Sequence, residues 1–277
     1  MILYLLYQTI ITNGEIENLV DDNLKTDYGR IKMLLKNTEN IEDLEKIIEQ
    51  SNISEKVTAR FSIDKIHEPK NFLSLLYYMG LVTIDKDKKT GAPLLKIPNY
   101  SVKTMYWEYM ENIIIERNPK MLYKPSIVLE GLIAMAFDGN YEPFFEKFHK
   151  NFVSQISNRD LRNFSEKNVK FLLLSILFQT TLYLPISESE NSEGYLDIYL
   201  QRRSSLYPRI TTDWIIEMKY IKEEHAKNTI LIESQKSKAI VQLQRYKTSN
   251  LFKDRTDVRY LAVVFIGKKD YFLEEVE

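Results

Sequence analysis

Residues 194–219, G-Y-L-D-I-Y-L-Q-R-R-S-S-L-Y-P-R-I-T-T-D-W-I-I-E-M-K, constrain the fold more than any other stretch of the chain. In 195–201, Leu196, Ile198 and Leu200 alternate with Tyr195, Asp197 and Tyr199, the period-2 pattern of a strand. Residues 214–219 form a second strand-like run, apolar until Glu217 and Lys219. Successive side chains of a strand point to opposite faces, so Glu217 and Lys219 share one. Pairing the two runs as a hairpin brings Asp197 close to both. Two carboxylates and an ammonium on adjacent strands are costly unless a cation sits among them. A simple salt bridge between Glu217 and Lys219 is the alternative. Trp214, Ile215 and Ile216 argue against it, because a lone ion pair on a buried strand gains little after desolvation.

The flanking segments fit one α/β unit. Ser165 is placed to cap a buried helix over 163–182 that opens with Glu166 and carries Val169, Phe171, Leu172 and Leu173 inside. A strand over 182–186 leads into the acidic turn Ser187-Glu188-Ser189-Glu190. Beyond Lys219, Ala239, Leu243 and Tyr246 are helix-spaced within 236–246, with Gln242 on a neighbouring edge. Residues 259–266 (R-Y-L-A-V-V-F-I) read as a central strand and 270–273 as an edge strand.

Asp197 followed by Glu217-Met218-Lys219 resembles the D…ExK signature of the PD-(D/E)XK nuclease superfamily. The ordered set of Glu166, Ser187-Glu188, G-Y-L-D and an Ala239/Gln242/Tyr246 helix is similar to the nuclease-like C-terminal domain of bacterial AAA-ATPase-like proteins. The resemblance implies a restriction-endonuclease-like mixed sheet flanked by helices, over about 160–277. It implies Mg²⁺, with Mn²⁺ as a substitute, held by Asp197, Glu217, Glu166 and the carbonyl of Met218, with Glu188 as an alternative acid. Two carboxylates plus a substrate phosphate are the usual setting of Mg²⁺. It gives Lys219 the role of assisting the attacking water, and Gln242 and Tyr246 that of touching substrate or buttressing Lys219. The implied activity is hydrolysis of DNA phosphodiesters, with RNA as a further substrate class. The alternative is a non-catalytic module of the same fold that binds nucleic acid or a protein. Arg245 and Lys247 are positioned to meet phosphate.

The preceding region, 1–159, reads as mostly helical. Ile41, Leu44, Ile47 and Ile48 are helix-spaced, and within 54–115 a helix ending near Gly80 precedes a strand over 81–84, a Lys86/Lys88/Lys89 turn and a return strand over 94–97. This resembles a winged-helix segment and the tail of the same ATPase-like family. Its expected role is that of a packing module linking an ATPase to a nuclease, the alternative being a DNA-binding wing that uses Lys86, Lys88 and Lys89. Two more helices follow, around 127–137 and 142–156, and a hinge is expected between 115 and 165. No G-x-x-x-x-G-K-[ST] spacing exists among the 8 glycines, so no ATP is expected.

The bulk properties bound the rest. Cysteine is absent, which excludes disulfides and thiolate metal sites and suits a reducing cytoplasm. The apolar run at residues 2–6 is too short for a signal peptide or a membrane span. Net charge is −1, but from Asn151 on Lys and Arg outnumber Asp and Glu 19 to 17, against 19 to 22 before it. Metal binding by the acidic site would tilt the C-terminal part further towards a phosphate backbone. His67, His149 and His225 show no ligand spacing.

Overall fold

The computed structural model describes residues 34, 37–49, 53–54, 56–58, 62, 65, 68–85, 93–117, 125–156, 165–191 and 194–277. Two compact units divide the chain, Met1–Met110 and Glu111–Glu277.

In the first unit, helix α1 (Thr38–Glu49) buries Ile41, Leu44, Ile47 and Ile48, the residues whose spacing predicts it. A small antiparallel sheet has the order β1-β3-β2, with β1 at Ile53–Ser54, β2 at Thr83–Ile84 and β3 at Leu94–Lys96. Helix α2 (Phe72–Tyr78) precedes β2, and Gly80 ends it at φ +73, a conformation only glycine adopts cheaply. The Tyr106 hydroxyl, on helix α3 (Tyr100–Arg117), donates to the Leu81 carbonyl at 2.8 Å. The hairpin expected over 81–97 is therefore present. Its Lys86, Lys88 and Lys89 lie outside the described residues, as do residues 1–33.

The second unit is built on a five-stranded sheet in the order β4-β5-β6-β7-β8. Its strands are β4 (Tyr183–Asn191), β5 (Gly194–Arg202), β6 (Asp213–Ile221), β7 (Val258–Ile266) and β8 (Asp270–Glu275). Only β6 and β7 run parallel; the other three pairings are antiparallel. A parallel pair needs a long crossover, which here contains helix α7 (Thr229–Thr248). Among the described residues of this unit, the end of α3 and then α4 (Pro125–Asp138), α5 (Glu142–Asn151) and α6 (Glu166–Phe178) precede the sheet. The expected mixed α/β, restriction-endonuclease-like architecture is thus observed.

Strand alternation sorts the two faces of the sheet. Ala239, Leu243 and Tyr246 of α7 pack with Tyr199, Ile215, Tyr260 and Ala262 on one face. On the other, Phe148 of α5 lies 5.6 Å from Phe265, and Tyr141 meets Trp214 edge-on at 5.7 Å. Strand β7 is buried on both sides along almost its whole length, which explains its unbroken apolar sequence. Arg259 reaches from β7 to the turn between α4 and α5, donating to the Gly139 carbonyl at 2.8 Å while its guanidinium lies 4.3 Å over Trp214. Among the described residues no helix is long and apolar enough to cross a membrane.

Candidate active site

The register of the hairpin assembles the site. Ile198 pairs with Ile216 and Tyr199 with Ile215, which sets Asp197 beside Glu217. Tyr199 and Ile215 face α7, so alternation puts Asp197, Glu217 and Lys219 on that same face. Helix α6 completes the group. Ser165 caps it, its backbone N–H donating to Asn168 Oδ1 at 2.9 Å, and the first residue of the helix is Glu166.

Lys219 is central. Its ammonium donates to Glu217 Oε1 and, at 3.3 Å, to the Met218 carbonyl. It lies 3.7 Å from Asp197 Oδ2 and 4.0 Å from Glu166 Oε1. Asp197 Oδ2 accepts the Met218 N–H at 3.1 Å, and Glu166 Oε2 accepts the Tyr220 N–H at 3.1 Å. Backbone amides of β6 thereby aim both acids at the strand that carries Glu217. A second lysine joins them. Lys170 Nζ lies 3.2 Å from Asp197 Oδ1.

Burial and charge push these groups apart in acidity. Glu217 is fully buried, and desolvation together with neighbouring Asp197 pushes its carboxyl up to about 8 despite Lys219. For Asp197, burial acts in the same direction but loses to Lys170, Lys219, the Met218 amide and a hydrogen bond with Glu217, which hold its carboxyl below the usual range. Burial raises the Glu166 carboxyl, with Lys219 opposing. Burial would lower the Lys219 ammonium, but Asp197, Glu217 and Glu166 outweigh it and keep it protonated. At neutral pH the group is therefore an ionised Asp197, a protonated Glu217 and a cationic Lys219. Lys219 is unsuited to accept a proton and suited to stabilise negative charge.

The donor set suits a divalent cation. Glu217 Oε2 is buried and meets no donor among the described residues. It needs a proton shared with Asp197 or a cation. Carboxylates and the Met218 carbonyl are hard oxygen donors of the kind Mg²⁺ and Mn²⁺ take. Among the described residues no three acidic, histidine or cysteine side chains form a ready-made metal cluster, because Lys219 stands between the carboxylates. The residues fit the ion once that ammonium gives way.

A cleft of about 410 Å³ opens beside Lys219 along α7, lined also by Ser234, Ser237, Lys238, Val241, Gln242 and Arg245. Gln242 donates to the Tyr246 hydroxyl. Tyr246 is fully buried in the core under α7, and burial, with a smaller contribution from Glu217 and Asp197, pushes its hydroxyl up to about 12. Gln242 therefore reaches the cleft while Tyr246 anchors the helix. Lys247 turns elsewhere, its ammonium 6.0 Å from the ring of Tyr260. The side chain of Glu188 lies outside the described residues.

Sequence reasoning missed Lys170, Ser234, Ser237 and Lys238. Lys170 had a signal, since it follows Glu166 by four residues and four residues is one helical turn on the same face.

Residues 164–275 match the family model described as the PD-(D/E)XK nuclease superfamily. No curated protein and no solved structure matches the chain. The match spans α6 and all five strands of the large sheet, and with them every residue of the cluster around Lys219. The C-terminal part of this chain, residues 164–275, is a PD-(D/E)XK nuclease-superfamily domain.

Proposed function

We propose that the protein is a divalent-metal-dependent nuclease that hydrolyses DNA phosphodiesters. The observation that carries this reading is the convergence of Asp197, Glu217 and Lys219 around a buried carboxyl oxygen that meets no donor among the described residues, at the edge of a basic cleft. Asp197, Glu217 and the Met218 carbonyl hold the ion, with Glu166 closing the shell directly or through water. Mg²⁺ or Mn²⁺ held there supplies a Lewis acid that makes water a nucleophile at neutral pH and neutralises phosphoryl charge. Lys219, kept cationic by its acidic neighbours, orients the attacking water and stabilises charge developing on the phosphate. Lys238 and Arg245 offer cations, and Ser234, Ser237 and Gln242 neutral donors, to the backbone of the strand that enters the cleft. The 54–115 segment takes the role of a winged-helix-like module that docks a partner such as an ATPase. The order α2, β2, β3, α3 bears on the shape of that module and not on its partner.

One observation favours a second reading, a non-catalytic module. Without metal, Lys219 already stands among the three carboxylates, within 4.0 Å of each. The two readings separate on incubation of the full chain with supercoiled plasmid, branched DNA and RNA in Mg²⁺, Mn²⁺ or EDTA. Nicking or cutting of DNA that EDTA abolishes supports the nuclease. Cleavage of RNA alone reassigns the substrate. An intact set of substrates leaves the module.

A further inference from the structure

Asp197 carries an ammonium on each side. Lys170 Nζ lies 3.2 Å from Oδ1 and Lys219 Nζ 3.7 Å from Oδ2. The two lysines are not equivalent. Lys219 shares itself among three carboxylates and a carbonyl. Lys170 comes from α6, on the same helix face as Glu166, whose carboxylate is itself anchored by the Tyr220 amide. Its side chain is only 13% exposed and that of Asp197 20%, so the pair is largely withdrawn from water. Removing Lys170 leaves Asp197 paired with Lys219 alone, which two other carboxylates share.

This bears on how many ions the site holds. Two-ion phosphodiesterase sites keep their ions about 3.5–4 Å apart. A carboxylate spans that gap by giving one oxygen to each ion. Asp197 has Oδ1 engaged by Lys170, so an ion meets this carboxylate through Oδ2, which also accepts the Met218 N–H at 3.1 Å. Charge points the same way. Fully ionised, Asp197, Glu217 and Glu166 exceed Lys170 and Lys219 by a single negative charge. One divalent cation reverses that to a single positive charge, which one phosphodiester balances. A second cation adds two positive charges with no partner among these groups.

Building on the metal-dependent reading above, we propose that Lys170 takes the place of a second metal ion. Its ammonium holds Asp197 Oδ1 and restricts the site to one divalent cation.

The test is a Mn²⁺ titration of the full chain followed by electron paramagnetic resonance, without substrate, for wild type, Lys170→Gln and Lys170→Arg. Wild type and Lys170→Arg bind one Mn²⁺ per chain. Lys170→Gln, neutral and of similar length, gains a second ion and the broadened signal of a dipolar-coupled pair. Two ions in wild type overturn the inference whether or not Lys170→Gln folds, and leave the metal-dependent reading standing. A single ion in a folded Lys170→Gln, as shown by its circular dichroism, also overturns it. No Mn²⁺ in wild type overturns the reading on which it rests.

Discussion

Glu217 is a carboxyl with no exposure, kept neutral by its surroundings, and that has a consequence for stability. Its folded-state value of about 8 stands above the ordinary 4.5 of the unfolded chain. The folded state therefore holds this proton more tightly, and stability is lost as pH rises between the two values. In EDTA, Glu217→Gln, which is neutral at every pH, matches wild type in melting temperature near pH 5 and exceeds it at pH 8. A constant offset across that range contradicts the assignment. Asp197 behaves in the opposite sense, its depressed carboxyl contributing stability that is lost only in acid, below the ordinary 3.8. At this scale the site was legible because strand alternation puts Glu217 and Lys219 on one face and pairing of the two runs sets Asp197 beside them on the same face. Lys170 was harder, since its position depends on how α6 lies against the sheet, which no spacing encodes. Ser234, Ser237 and Lys238 look like a solvated helix face until the cleft beside Lys219 is seen.

Among elements, the sheet is held at one end by a polar clamp. Arg255 donates to Asp213 Oδ2 at 2.6 Å, to the Tyr199 hydroxyl at 2.8 Å and to Asp257 at 2.9 Å. Asp213 is buried and also accepts the Arg202 N–H at 2.9 Å, so the clamp joins the ends of β5, β6 and β7. Arg255→Ala leaves the buried Asp213 charge only the more distant Arg202 guanidinium, 3.9 Å away, and denaturant unfolding should show a loss of about 3 kcal/mol. A loss below about 1 kcal/mol would place the clamp at the surface in energetic terms. On α7, the double substitution of Lys238 and Arg245 by alanine should weaken metal-free DNA binding at low salt. It should also cut the slope of log affinity against log salt by about 1 for each cation that meets a phosphate. Unchanged binding would remove the cleft from the DNA path. The strands were readable because β5 alternates and β7 is continuously apolar. The tip of the β2–β3 hairpin, with its three lysines, lies outside the described residues.

For the molecule as a whole, the compact unit that carries the site begins at Glu111, well before the family match at 164. The intervening helices have a physical role. Phe144, Phe145, Phe148 and Phe152 are all fully buried, and Phe148 and Tyr141 cover Phe265 and Trp214 on the sheet face away from α7. A fragment of residues 160–277 exposes that face and should bind hydrophobic dyes and lose near-ultraviolet dichroism. A fragment of 111–277 should keep both native properties. Equal behaviour of the two would show that α4 and α5 are dispensable. Sequence alone could not assign these helices to the sheet, because their apolar faces name no partner. The central claim is that Asp197 and Lys219 act together on a phosphodiester, and single-turnover cleavage of end-labelled DNA by the full chain tests it most directly. With Mg²⁺ or Mn²⁺, Asp197→Asn and Lys219→Ala should each lose about 10²–10³-fold or more while remaining folded. Wild-type rates in both variants would contradict the account and assign the cleavage elsewhere.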